Sequence, residues 1–265
     1  RSLSGLIVNI LYLLIKLFYG TDKIDNFFIN SGKLLLNKTF LVFKTAEYFN
    51  SPTLRIKWWN NLNSEWRTVF RFQVYSELDY HGIDIANYVF TVEKLNLNLN
   101  GIKTLNGLKH LTQLRELCIT NYASTDLSEL IYLSKLQKLE FINCDFSTIV
   151  PITPIIQVID LRFENCQVDT LDSFQYLKNL KRLHLQGNCI IDIRPIKKAS
   201  QLEFLSLQNN PITNFDTLTH LPDTKIELSF DQKYDLKKLQ DKNINVEIAF
   251  TNTYYNYDET FFQNN

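Results

Sequence analysis

Methionine is absent from all 265 residues, and the chain opens on Arg1. The initiator is therefore not in this sequence, which reads as a processed or truncated chain. Net charge is absent too. The 28 Lys and Arg balance 28 Asp and Glu, so nothing draws the chain to nucleic acid or to an anionic membrane. The seven glycines form no phosphate-binding loop. No Cys, His or carboxylate cluster has metal-ligand spacing, and no cofactor is expected. The four cysteines, Cys118, Cys144, Cys166 and Cys189, make no CxxC pair. They read as small core residues rather than a redox or metal centre. Without cysteine-rich flanks they also argue against a disulfide-capped extracellular domain.

What is present is 45% hydrophobic and 21% charged, the balance of a folded chain rather than a disordered one. Its apolar residues keep a beat of 22. Val92, Leu114, Leu136, Val158, Leu180 and Leu202 stand one repeat apart, and leucine follows three positions later in all six copies. Five positions on come Leu97, Ile119, Phe141, Phe163, Leu185 and Leu207. Eight on come Asn100, Tyr122, Cys144, Cys166, Asn188 and Asn210. The LxxLxL alternation predicts a short strand with its leucines on one side. The Asn or Cys after it turns the chain, bonding backbone groups left unpaired there. The trailing apolar residues, spaced by three, suit a 3₁₀ or extended return. One unit cannot bury its own leucines, so the units must stack around a shared core.

The units "LKNLKRLHLQGNCIIDIRPI" and "ASQLEFLSLQNNPITNFDTL" resemble the leucine-rich repeat family in its 22-residue class, and "IIDIRPI" resembles the return segment of bacterial internalin-like repeats. The resemblance implies an α/β leucine-rich repeat solenoid, with a curved parallel β-sheet on the concave side and partner binding there. It implies no activity. Tyr122 and Ser124 depart from the pattern, so the second turn is expected to be irregular.

A solenoid needs caps over its terminal units. Residues 56–91 are read as a helical N-cap. In 56–72, Trp59, Leu62, Trp66, Val69 and Phe70 recur at helical spacing. Those aromatics either pack on the first repeat or face a partner. Ile83, Ala86 and Val89 continue the repeat register backwards. The repeats fill 92–222, an αβ C-cap fills 223–250, and 251–265 reads as a disordered tail. Residues 1–55 form an apolar, helical N-terminal segment of uncertain role. "LSGLIVNILYLLIKLFYG" is interrupted by Asn9 and Lys16, and three readings stay open. It is a soluble helical subdomain, a membrane-associated stretch within 1–19, or the remnant of a signal.

With the register fixed, outward-facing columns can be read. One column, Lys94, Glu116, Lys138, Asp160 and Arg182, alternates in sign and then ends on Phe204. Adjacent rungs of an ion ladder would pair. Beside it, Glu140, Ile142, Arg162, Glu164, Arg182, His184, Gln186 and Phe204 cluster on the middle rungs. Arginine and aromatics among polar groups suit an interface, although a merely solvated face has the same composition. His110 and His220 share one repeat step before a convex leucine and should be exposed. No Ser–His–carboxylate geometry is implied at His184. The expectation is a monomeric, cytoplasmic, non-catalytic module for a protein partner. The alternative is an internalin-like surface adhesin exported or anchored through the apolar start.

Overall fold

The computed structural model describes residues 51–75, 82–146, 157–172, 174, 177–229, 239 and 244–249. Among these residues eight strands form one sheet in chain order. They are β1 (Lys94–Asn98), β2 (Glu116–Thr120), β3 (Lys138–Ile142), β4 (Asp160–Glu164), β5 (Arg182–His184), β6 (Phe204–Ser206), β7 (Lys225–Ser229) and β8 (Val246–Ala249). From β3 onward every pairing is parallel. The register follows the repeat: Leu139 faces Leu161, Leu161 faces Leu183, and Leu183 faces Leu205. At β7 the step shortens by one, so Leu205 faces Ile226.

Period-2 alternation explains which side each residue takes. In β1, β2 and β3 the second and fourth residues are buried and their neighbours are half-buried or exposed. Beneath β3 and β4 the core is aromatic, with Phe141 and Phe163 stacked at 5.1 Å and Phe146 edge-on to both. The returns follow the period of three. Leu130 N–H donates to Leu127 O and Leu133 N–H to Leu130 O, both at 3.0 Å. Formal 3₁₀ turns cover Ser128–Tyr132, Arg194–Lys198 and Asp216–His220. Side chains at i and i+3 eclipse in this geometry, so every third leucine points into the core.

Among the described residues three helices precede the sheet: α1 (Pro52–Asn61), α2 (Ser64–Tyr75) and α3 (Gly82–Val89). The single helix expected over 56–72 is two helices. Leu62 leaves the helical region at ψ 142°, and Asn63 Oδ1 accepts from Trp66 N–H at 2.8 Å. A side-chain cap of this kind satisfies one of the orphan donors that open a helix and so starts a new one. Trp58, Trp59, Leu62, Trp66 and Phe70 are all buried. Trp66 donates its indole N–H to Thr104 O at 3.1 Å, and its ring lies against Gly107, where a Cβ would stand 2.3 Å from Cδ2. That is a packing role for Trp66. Ala86 and Val89 are buried as the register required, while the side chain of Ile83 lies outside the described residues. So do residues 1–50, the tail 251–265, and all of 231–243 except Leu239, which is helical and buried.

By contact the chain divides into two units. One holds the described residues up to Leu97, with Ile102–Leu117 and Asp126–Leu136. The other holds Asn98–Gly101, Cys118–Thr125 and the described residues from Gln137 on. Among the described residues no helix is long and apolar enough to cross a membrane.

Candidate binding face

The face is held by two ladders at the strand ends. In the buried one, Asn188 Nδ2 donates to Phe163 O and Leu185 O at 2.8 Å and to Gln186 O at 3.2 Å. Its Oδ1 accepts from Cys166 N–H at 3.0 Å and Val168 N–H at 3.1 Å. One amide thus satisfies backbone groups on two successive rungs. Asn210 repeats the arrangement, reaching Leu185 O at 2.7 Å and accepting from Ile190 N–H at 3.1 Å. Thiols do part of this work one rung earlier. Cys166 Sγ lies 3.3 Å from Phe141 O and 3.2 Å from Glu164 O. At the second unit, where an irregular turn was expected, Tyr122 sits fully buried in the ladder position, with its N–H 3.5 Å from Cys144 Sγ.

The second ladder escaped sequence reasoning. Asn121, Asn143, Asn165 and Asn209 have φ between 53° and 57°, and Gly187 has φ 68°. One left-handed residue therefore ends each of these strands, where asparagine and glycine are the side chains that tolerate it. Asn165 Nδ2 donates to Asn143 Oδ1 at 3.4 Å. A Cβ on Gly187 would lie 2.0 Å from Asn165 Oδ1. The signal in the sequence is an Asn or Gly immediately before each turn-ladder residue from Tyr122 on.

On the outward side of β3–β6 the sequence-selected residues come together. Glu140 faces Arg162, Arg162 faces His184, and Ile142 faces Glu164 in register. The Arg162 guanidinium bridges two carboxylates. Nη1 bonds Glu164 Oε2 at 3.1 Å, while Nε approaches Glu140 Oε1 at 3.1 Å without hydrogen-bond alignment. Gln186 Nε2 donates to the same Glu164 oxygen at 3.0 Å. Arg182 Nε bonds Asp160 Oδ2 at 2.9 Å, and His184 Nε2 lies 3.7 Å from Asp160 Oδ1. The His184 ring packs on Phe204 at 4.7 Å between centroids. The expected ion ladder holds at Lys94–Glu116 (2.7 Å) and Asp160–Arg182, whereas Lys138 reaches Glu140 of its own strand at 3.3 Å. Ser206 and Gln208, one repeat beyond His184 and Gln186 in the same columns, are buried.

Burial, followed by the positive charge of Arg162, depresses the His184 imidazole to about 4, against the pull of Asp160. At neutral pH it is an uncharged hydrogen-bonding and stacking group. His220 is exposed as expected, but His110 is half-buried. That correction follows from its packing, which with Lys109 pushes its imidazole to about 4. Burial and Glu140 raise the thiol of Cys118 on the same outward face. The pairing with Cys144 and burial hold the Cys166 thiol protonated. No group of three or more Cys, His or carboxylate side chains among the described residues is placed to hold a metal.

A family model described as "Leucine Rich repeats (2 copies)" matches residues 178–220. Over 147 residues, 49% of this chain, the sequence is 31% identical to a probable inactive serine/threonine-protein kinase of Dictyostelium discoideum, of whose length it spans 7%. Among solved structures, internalin C2 of Listeria monocytogenes aligns with TM-score 0.54 at 19% identity, covering 73% of this chain and 89% of that one. A second Listeria internalin (inlF) aligns with TM-score 0.49 at 19% identity, over 64% of this chain and 52% of its own. The internalin C2 likeness is one of fold.

Proposed function

We propose that the leucine-rich repeat array of this chain is a non-catalytic protein-interaction module that takes a protein partner on the outward face of its parallel sheet, the side expected to be concave. The leucine-rich repeat model matches residues 178–220, and proteins built of such repeats generally bind other proteins rather than catalyse reactions. One observation carries the assignment to this face: a half-buried network of Glu140, Arg162, Glu164 and Gln186 beside the His184–Phe204 pair. Side chains already fixed by one another lose little freedom on docking, which removes part of the entropic cost of association. Arginine and aromatic anchors are also the residue types that dominate interfaces.

The test is affinity capture from cells expressing the tagged full-length chain. Phe204→Ala combined with Gln186→Ala strips the anchor and one donor while leaving Glu164 its bond to Arg162. Lys197→Glu on a return turn is the control. Recovery of the partner should fall with the double variant and hold with the control. Equal recovery from all three, with unchanged melting curves, would refute the face. We further place the protein in the cytoplasm, which cell fractionation checks. Recovery at membranes or the cell surface would favour export or anchoring through residues 1–19.

A further inference from the structure

The tripeptide Leu-Asn-Gly occurs twice within ten residues, as Leu99-Asn100-Gly101 and Leu105-Asn106-Gly107. We infer that Asn100, and not Asn106, is a site of spontaneous backbone modification in the folded protein, converting to aspartate and isoaspartate. The chemistry is internal. The Gly101 nitrogen attacks Cγ of Asn100, the Cγ–Nδ2 bond breaks, and ammonia leaves. Water then opens the five-membered imide at either carbonyl. No oxidant or cofactor is needed. Asparagine is among the thermolabile residues, and a following glycine places no Cβ in the way of the attack.

Local sequence treats the two sites alike, so the fold must separate them. Asn100 is exposed just past the end of β1. Gly101 has φ +80°, and nothing stands within 4 Å of where its Cβ would be. Among the described residues no group accepts a hydrogen bond from its amide. The Asn100 backbone N–H is held by Asn98 Oδ1 at 3.2 Å, which fixes that end of the turn but leaves the attacking nitrogen free. At the second site, Leu108 N–H closes onto Leu105 O at 2.9 Å, enclosing Asn106 and Gly107 in the turn. Gly107 is buried against the Trp66 ring, which leaves no room for a Cβ. The Asn106 backbone cannot bend toward its own carboxamide without opening that turn and displacing the ring.

The product is consequential in position. Isoaspartate adds a methylene to the main chain and a negative charge immediately after β1, beside the Asn98 amide that also receives Asn121 Nδ2 at 3.1 Å. It also makes the chain a substrate for an isoaspartate-directed methyltransferase.

Trypsin separates the two sites, since cleavage after Lys94, Lys103 and Lys109 gives peptides 95–103 and 104–109. The full-length protein is aged at mildly alkaline pH, native and in urea, and both peptides are followed by mass spectrometry for a gain of about 1 Da. Isoaspartate is scored with an isoaspartate methyltransferase and labelled S-adenosylmethionine. In the native protein, peptide 95–103 should convert roughly tenfold or more faster than 104–109, because only the latter requires a local opening. In urea the two should convert at matching rates. Equal or reversed native rates would overturn the inference. So would a native 95–103 peptide that stays intact while the urea sample converts, or a rate difference that persists in urea.

Discussion

Replacing Asn188 with alanine tests the ladder reasoning most directly. The side chain is 6% exposed and makes five hydrogen bonds to backbone on two rungs. Alanine removes the acceptor of two buried N–H groups, those of Cys166 and Val168, and one donor pair shared by three carbonyls. Each buried group left unsatisfied costs about 1–3 kcal/mol. With the two N–H groups counted fully and the carbonyls partly compensated, the loss is about 3–5 kcal/mol. Asn188→Cys should cost less. A thiol in the equivalent slot at Cys166 still reaches two carbonyls, and sulfur accepts weakly from the N–H groups. Urea denaturation followed by far-ultraviolet circular dichroism measures both, and hydrogen exchange at the Cys166 and Val168 amides localises the effect, since repeat stability is carried between neighbours. A loss below about 1 kcal/mol for alanine would refute the view that the amide bonds, rather than leucine packing alone, hold the rungs. So would equal losses for alanine and cysteine.

Gly187→Ala should destabilise by about 1–2 kcal/mol from its left-handed backbone alone, and by more through the contact with Asn165. Thermal melting compared with Gly101→Ala, where nothing lies within 4 Å, separates the two costs. Trp66→Ala should cost about 3–5 kcal/mol as a large-to-small change in a packed core, read from the urea midpoint of the full chain. Gly107→Ala should be destabilising too, by displacing the same ring. For His184 the folded imidazole is held at about 4, below its ordinary 6.5. The unfolded chain therefore binds the proton first. Its contribution is fully present above pH 6.5 and is lost as pH falls from there toward 4. His184→Gln should flatten the urea midpoint across that window, and an unchanged slope would show that burial of this ring does not control it.

The sequence by itself determined the repeat, its strands, the register from β3 to β6 and the side to which the leucines turn. All of these follow from apolar spacing: period 2 within a strand, period 3 in the returns and a step of 22 between rungs as far as β6. It also placed Glu140, Arg162, His184 and Phe204 on one face, because a parallel ladder in register carries sequence columns directly into space. Only the tertiary structure decided the rest. Whether Lys138 pairs across to the next rung or along its own strand depends on side-chain reach, not spacing. The break at Leu62–Asn63 is set by a cap competing with continued helix, two nearly balanced alternatives that the aromatic pattern does not separate. The half-burial of His110 and the full burial of Tyr122 depend on what packs against them. The two Leu-Asn-Gly stretches make the same point at shortest range. Identical local chemistry stands open at Gly101 and is shut at Gly107, because only the second has a tryptophan ring from a distant helix laid over it.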